Sequence, residues 1–514
     1  MARANWTAIL ALAAGAAMAQ PAQRTLTAEA LRDKIRGGWA GQMIGVSYGA
    51  PTEFRWREEI IPEEKLPEWK PEMVSNALNQ DDLYVDMTLA KVLDEKGLEA
   101  TTEDFGAMFR ESKYALWHAN LAARRALRRG VPAHLSGTPR HNVHANDIDF
   151  QIEADFIGLM TPGLPRLAAD IGVRAGRVMN SGDGILGGVF VSCMYAAAFF
   201  EDDPRRVVEA GLGCLPAKSP YARLIADVLA WHRKFPADWT KNWAEIEKKW
   251  NRREPCPAGA LRPFNIDAKI NGAYIVLGLL YGDRDMGKTI RISTRAGQDS
   301  DCNPSSAAGI LGVMQGWERI PEEWKGGIPA IADKKFAYTD FNFHEIVEST
   351  YERALKAVAR EGGTVGGNEI RVPPQKAKPV NIALWDDYGS PVERVPHTDG
   401  RWRFTGAWKA DERLRANATD EKGATAEIEF EGTGFIVAGP YLPDGGFLEA
   451  WLDGNKVNNA DVYADEKSVK GEESVFHQFG LRQGRHRLQL KVLGVRHRES
   501  SGARVAVQAL IVFR

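Results

Sequence analysis

Four places along the chain set carboxylate or amide side chains beside glycines, where the backbone can turn sharply enough to aim polar groups at one point. The first is Gly41-Gln42-Met43-Ile44-Gly45-Val46-Ser47-Tyr48-Gly49-Ala50-Pro51-Thr52-Glu53-Phe54, a Gly-rich helix end leading through Pro51 into the carboxylate of Glu53. Taken alone, its glycines are explained by close helix packing. The second is Asn79-Gln80-Asp81-Asp82-Leu83, and paired aspartates at a helix start also act as caps that complement the macrodipole. The third, Asn180-Ser181-Gly182-Asp183-Gly184, reads singly as a turn plus cap. The fourth, Gly297-Gln298-Asp299-Ser300-Asp301-Cys302-Asn303, precedes an apolar stretch from Ala307 to Met314. An Asp-x-Asp at a helix start aims two carboxylates at one point, and a hard divalent cation takes such oxygens. The remaining ligand spacing of an EF-hand is missing.

A further run, Asn146-Asp147-Ile148-Asp149-Phe150-Gln151-Ile152-Glu153-Ala154-Asp155, is dense in oxygen ligands. Asp149 and Glu153 stand four apart, on one face of a helix, a pattern shared by solvated surfaces and by sites. Apolar Phe150, Ile152 and Phe156 flank them. His118, in Trp117-His118-Ala119-Asn120, reads as a packed aromatic neighbour rather than a catalyst.

The elements that must position these groups are helical from Thr27 to about Ala359. Tyr84-Val85, Thr88-Leu89 and Val92-Leu93 recur at helical spacing, with Gly97 placed to end that helix. Leu186, Val189-Phe190, Cys193-Met194 and Ala197 do the same with almost no polar face, which predicts a helix buried on all sides. Between Glu361 and Val380 glycines and prolines mark a linker or crossing loop. Beyond it the period becomes two: Ala426, Ile428 and Phe430, then Leu488, Leu490 and Val492, alternate with polar residues. Turn signals at Asp444-Gly445-Gly446, Asp453-Gly454 and Gln483-Gly484 separate the runs, which predicts an antiparallel β-sandwich of about 130 residues.

The N-terminus has one basic residue, Arg3, an apolar run from Trp6 to Ala17, and Ala17-Met18-Ala19 ahead of Gln20, the pattern of a secretory signal over residues 1–19. It implies a periplasmic or secreted protein with no stable membrane anchor. The expected domains are then 20–372, helical and catalytic, and 373–514, the sandwich; a chain of 514 residues is too long for one core. With 66 basic against 68 acidic residues and a formal charge of −2, nothing asks for nucleic acid or an anionic membrane. Four cysteines are too few for a disulfide framework, though a single bridge stays open, and none forms a CxxC pair, which argues against a zinc site.

Together, the first, second and fourth segments resemble, in order and separation, the motifs of the ADP-ribosylglycohydrolase family. Its members have an all-α fold with divalent metal, typically two magnesium ions, at one end of the bundle. The first segment is similar to the family's Gly-rich opening motif ending in an acidic residue, here Glu53. Asp81-Asp82 is similar to its Thr-Asp-Asp-Thr motif, and Asp299-Ser300-Asp301-Cys302-Asn303 to its Gly-Asp-Thr-Asp-Thr-Asn motif. Trp117-His118-Ala119-Asn120 and the 146–155 run look like a branch of the family. Val46, Gln80, Leu83 and Cys302 depart from the pattern, which leaves one or two ions open, magnesium or calcium.

The resemblance implies metal held by Asp81, Asp82, Asp299 and Asp301, with Glu53 as acid or base and Asp183 as the second catalytic candidate. Gln80, Asp149, Gln151, Glu153, Asn180 and Asn303 are the expected substrate contacts. Oxocarbenium-like chemistry then needs a positioned water and a protonated or charge-stabilised leaving group. In the sandwich, segments around Tyr441, Trp451 and His486 are similar to jelly-roll modules of exported carbohydrate enzymes. Trp451 and Tyr441 are candidates for stacking on sugar, or for the sandwich core. The leading expectation is an exported, metal-dependent hydrolase of a small glycoside or oligosaccharide. Release of ADP-ribose from a protein or nucleotide is the second, and a decayed scaffold carrying a carbohydrate-binding module the third.

Overall fold

The glycines of the opening helix, Ala28–Gly49, recur every four residues, so they form one smooth stripe along a single face. That stripe lies directly on the backbone of the helix Cys302–Gln315. A Cβ at Gly37, Gly41, Gly45 or Gly49 would stand 2.0–2.3 Å from a carbonyl oxygen of Gly312, Ala308, Pro304 or Ser300 respectively. No other residue permits this approach. The computed structural model describes residues 24–251 and 255–514, and the expected leader over residues 1–19 lies outside them.

Around this pair the body is helical, as the spacing predicts. Asp81–Lys96 ends at Gly97, whose φ is 79°. Gly182–Ala198 is buried on nearly every side, and Ala268–Tyr281 is a second fully buried helix. The Gly-rich segment after the last helix, Phe343–Arg360, is not a free linker. Thr364–Gly366 and Glu369–Val372 form a hairpin turning at Gly367, and its second strand pairs antiparallel with Arg24–Thr27.

The C-terminal region is antiparallel throughout its named strands. A five-stranded sheet runs in the order Asn455–Asp461, Gly446–Leu452, Gly484–Arg496, Thr425–Gly432, Arg403–Thr405. A four-stranded sheet runs Lys470–Gln478, Gly434–Tyr441, Ala509–Phe513, Pro391–Pro396. Asp453-Gly454 is the predicted turn, a two-residue hairpin loop with both residues at positive φ. Ile428, Leu448, Leu488 and Leu490 share one core with Phe435, Val437, Leu510 and Val512.

The alternate residues of the four-stranded sheet explain why Gly434–Tyr441 is buried at every position. Ile436, Ala438, Ala509, Ile511 and Phe513 face away from the sandwich interior and pack on Val143, Ala145, Ala260 and Trp385. Arg125 reaches across the same seam, lying 3.5 Å over the Tyr441 ring and donating to the backbone oxygen of Asp461 at 2.8 Å. Tyr441 is thus a buried seam residue rather than a sugar platform, whereas Trp451 is half-exposed.

Two outcomes follow from this packing. Gly45→Ala should lower stability by at least about 1–3 kcal/mol because backbone cannot yield to the new methyl, whereas Gly400→Ala, with open space around it, should be nearly silent in chemical denaturation. A fragment ending at Val372 should bind a hydrophobic dye and elute as aggregate in size-exclusion chromatography, since it uncovers Val143, Ala145 and Ala260; a monodisperse fragment would contradict the docking.

Candidate active site

Glu53 follows directly from the glycine stripe, because the chain leaves the opening helix at Gly49 against Ser300. Thr52 Oγ1 donates to the Gly49 carbonyl and lies 2.8 Å from Ser300 Oγ. The Phe54 amide donates to the Gln298 carbonyl and the Gln298 amide to the Trp56 carbonyl, both at 2.9 Å. Gln298 has φ 55° and Gly297 φ 86°, which turns the loop so that Asp299 and Asp301 face Glu53. From the other side, the first turn of Asp81–Lys96 brings Asp81 and Asp82 to the same point.

The five carboxylates therefore share one cluster, and like charges raise one another's pKa. Glu53 is open to solvent as a residue, yet protein closes round its carboxyl on the cluster side. That desolvation, then the charges of Asp301 and Asp81, push it up to about 8. Asp81 rises to about 6 through burial and Asp301. Asp82 and Asp299 are pushed well above the ordinary range, burial first and neighbouring carboxylates second. Both oxygens of Asp82 and Oδ1 of Asp299 are buried without a hydrogen-bond partner. Unpartnered hard oxygens facing one point are the donor set of a magnesium or calcium ion, so the residues present fit a divalent cation. Cys302 stands among them, its ligand atom within 4.8 Å of those of Asp299 and Asp301; burial holds it as a thiol, which is no partner for a hard ion.

The expected substrate contacts divide. Glu153 is coupled to Asp81 and Asp82; it accepts a hydrogen bond from Asn120 Nδ2 and keeps Oε2 buried and unpaired. Gln80 precedes the Asp81–Lys96 helix at the cluster's edge, half-exposed, its carbonyl accepting from Leu83 and Tyr84. Asp149 accepts from the amides of Ala119 and Asn120 at 3.2 and 2.9 Å, and so caps the helix His118–Arg128. Gln151 accepts from the Tyr221 hydroxyl at 2.6 Å, and Asn303 donates to Asn271 at 2.9 Å; Gln151 Nε2 and Asn303 Oδ1 remain unpaired.

Two of the expected residues have their polar groups engaged apart from the five carboxylates. Asn180 is wholly buried and its amide is committed to backbone: Oδ1 accepts from Phe150, and Nδ2 donates to Ala145 and Asp147. It shapes the 145–150 segment from a wholly buried position. Asp183 lies in a separate cavity of about 330 Å³ with Arg223, Trp250, Lys269 and Trp385. Burial raises it to about 7, opposed by Lys269. Its charged neighbours are Lys269, Asp267 and Asp386 rather than the five clustered carboxylates.

Sequence reasoning missed Asp86 and did not single out Asp155. Asp86 accepts from the Phe156 amide at 3.2 Å and Asp155 from Ser306 at 3.3 Å, and each keeps one buried oxygen unpaired. They extend the carboxylates inward behind Asp82, to which both are electrostatically coupled. The available signal was spacing: Asp86 follows Asp82 by four, on a helix otherwise apolar there.

The family model for ADP-ribosylglycohydrolase matches residues 27–361. No curated protein matches the chain. Among solved structures, the chain is similar to an ADP-ribosylglycohydrolase-related protein complex, at 16% identity and TM-score 0.40, over 64% of this chain and 99% of that one. It is also similar to a two-domain esterase active on acetylated mannans (17%, TM-score 0.20, 25% and 41%). A third is an active-site mutant of a family two carbohydrate esterase from Clostridium thermocellum (22%, TM-score 0.16, 21% and 30%).

The carboxylate cluster has a signed consequence for stability. Glu53 at about 8, Asp155 at about 7 and Asp81 at about 6 are all raised above their unfolded values near 4. The folded state therefore holds protons that the unfolded chain has released, and stability falls as pH rises through that window. In chelator, the thermal midpoint should drop between about pH 5 and 8, and divalent cation should restore it most at the upper end. Differential scanning calorimetry checks this; a midpoint that rises with pH in chelator contradicts it.

Proposed function

The chain belongs to the ADP-ribosylglycohydrolase family, which hydrolyses glycosidic bonds with divalent metal, and from that premise we propose an exported, metal-dependent hydrolase of an O- or N-glycosidic bond in a small glycoside or oligosaccharide. The observation that carries the reading is the meeting of Glu53, Asp81, Asp82, Asp299 and Asp301 around buried, unpartnered carboxylate oxygens. Export rests on the leader pattern at residues 1–19. No helix among the described residues is long and apolar enough to cross a membrane. A glycoside rather than ADP-ribose is supported by the attached sandwich, while aromatic rings flank the cluster. Tyr84 packs against Tyr114 and exposed Tyr338 on one side, and Phe54 against Phe264 on the other.

In this mechanism Asp81, Asp82, Asp299 and Asp301 are the residues that would hold the ion. When bound, a divalent cation supplies charge stabilisation and a template for sugar and water oxygens. Glu53 stands on the solvent side, where it reaches the scissile bond and moves the proton. Held as an acid it gives a proton to the leaving group, and as a carboxylate it takes one from the attacking water. Glu153 and the Asn120 amide next to it are placed to orient a hydroxyl. The glycine-stripe contact fixes Glu53 against Asp301, so that acid and ion site keep one separation through turnover.

Asp301→Asn should abolish tight divalent binding in calorimetry and lower turnover by orders of magnitude, and chelator should do the same to wild type. Glu53→Gln should keep the cation and lose about 10²–10⁴-fold in turnover. The assay uses pentofuranosyl, hexosyl and ADP-ribosyl substrates. Full activity of Asp301→Asn in chelator overturns the metal; turnover of the ADP-ribosyl member alone overturns the glycoside.

A further inference from the structure

A second set of donors, chemically unlike the first, comes together at His118, His144, Asp147 and Cys256. One ligand atom from each lies within 4.8 Å of the others. The four come from three stretches: the first residue of His118–Arg128, the turn at 144–147 that carries both His144 and Asp147, and the segment leading towards Ala268–Tyr281. His118 Nδ1 is 3.7 Å from Cys256 Sγ and 3.8 Å from Asp147 Oδ2. His144 Nδ1 is 2.7 Å from the same Asp147 oxygen. His144, Asp147 and Cys256 are buried. Asp147 Oδ1 is buried with no hydrogen-bond partner, a second oxygen turned to nothing in a wholly enclosed carboxylate.

We propose that these four side chains form a tetrahedral site for a zinc-class divalent cation. Two imidazoles, a thiolate and a carboxylate are the mixture that a borderline ion takes, and one that magnesium or calcium does not. With bonds of about 2.0 Å to nitrogen and oxygen and about 2.3 Å to sulfur, a tetrahedron has edges of roughly 3.3 Å between nitrogen and oxygen and 3.6 Å between nitrogen and sulfur. Both His118 separations lie within about 0.5 Å of those edges, and the His144–Asp147 pair opens by about 0.6 Å from its hydrogen bond. The other ring nitrogen of His144 lies 3.3 Å from Glu473 Oε2, on the sandwich strand Lys470–Gln478. A carboxylate behind a ligating imidazole fixes its orientation and raises its basicity. Four protein ligands close the coordination sphere, so the site is structural and ties the helical body to the sandwich at their seam. The missing CxxC pair is no obstacle, since a site built on one cysteine leaves no cysteine spacing to read.

The test uses the full chain, stripped of metal and titrated with Zn²⁺ or Co²⁺ in excess Mg²⁺, which keeps the hard carboxylate cluster occupied. Wild type and Cys302→Ser should each bind about one Zn²⁺ per chain. Co²⁺ should give a thiolate-to-metal charge-transfer band in both, and Cys256→Ser should lose it. His144→Ala should bind Zn²⁺ at least tenfold more weakly and lose the rise in thermal midpoint that Zn²⁺ gives wild type. A band that persists in Cys256→Ser, or zinc binding unchanged by His144→Ala, overturns the proposal. If either variant fails to fold, the cobalt spectrum of Cys302→Ser decides: a thiolate band supports the site and its absence overturns it.

Discussion

Everything at the candidate active site depends on how closely two helices approach. Gly37, Gly41, Gly45 and Gly49 let the opening helix lie on the carbonyl oxygens of residues 300–312. Carboxylate motifs some 250 residues apart in sequence meet because both sit at the same end of this contact. One segment leaves the glycine stripe at Gly49 and reaches Glu53 within four residues; the other enters Cys302–Gln315 directly from Asp299 and Asp301. Backbone-to-backbone contact is stiff in a way that side-chain packing is not, because it has no rotamers to exchange. The separation between Glu53 and the aspartates at 299 and 301 is thus set by covalent geometry and one packing distance.

That precision is obtained at an electrostatic cost. Buried carboxylates with unpaired oxygens are among the more destabilising groups a fold can hold. Here Asp82, Asp86, Asp155, Glu153 and Asp299 each have at least one. Their raised pKa values follow from burial first and from one another's charges second, so the fold retains protons there. Among the described residues, no lysine or arginine is among the principal charges acting on Glu53, Asp81, Asp82 or Asp299. Contrast Asp267, whose carboxylate is bonded by the buried Lys269. Here a cation stands beside a buried acid, whereas at the cluster the described residues place none.

Much of this was legible in the sequence, and the reasons differ by element. The buried helix around Val189 announced itself because apolar residues occupied every face, and the strands at 425–432 and 484–496 because inward and outward residues alternated. Asp81, Asp82, Asp299 and Asp301 were readable as residue types with a shared chemistry at helix starts. Asn180 and Asp183 carried the same local signal, and the structure gives them to backbone support and to another cavity. A Gly-rich turn before a helix looks alike whichever way it points. The hairpin at 364–372 escaped for a related reason: strands of three and four residues carry too short a period to register, and its partner, Arg24–Thr27, lies at the far end of the body. The cluster of His118, His144, Asp147 and Cys256 is a purely tertiary object that no spacing rule encodes.

The two donor sets are also physically connected. Phe54, next to Glu53, lies 4.8 Å from Phe264, which stacks on His118 at 5.6 Å. Ile148, Ile152, Cys256, Phe264 and Cys302 form one small apolar cluster between them. Cys302 touches the carboxylates and Cys256 the histidines, so each end of this cluster is a sulfur facing a polar group. Such a wedge keeps water from between the two sites and joins them by packing. Its low dielectric screens charge poorly, so each donor set lies within the other's field. The sandwich therefore does more than append a module. By pressing Glu473 on His144 and Ile511 into the body, it braces the wall on which Phe264 and, through Phe54, the loop of Glu53 rest.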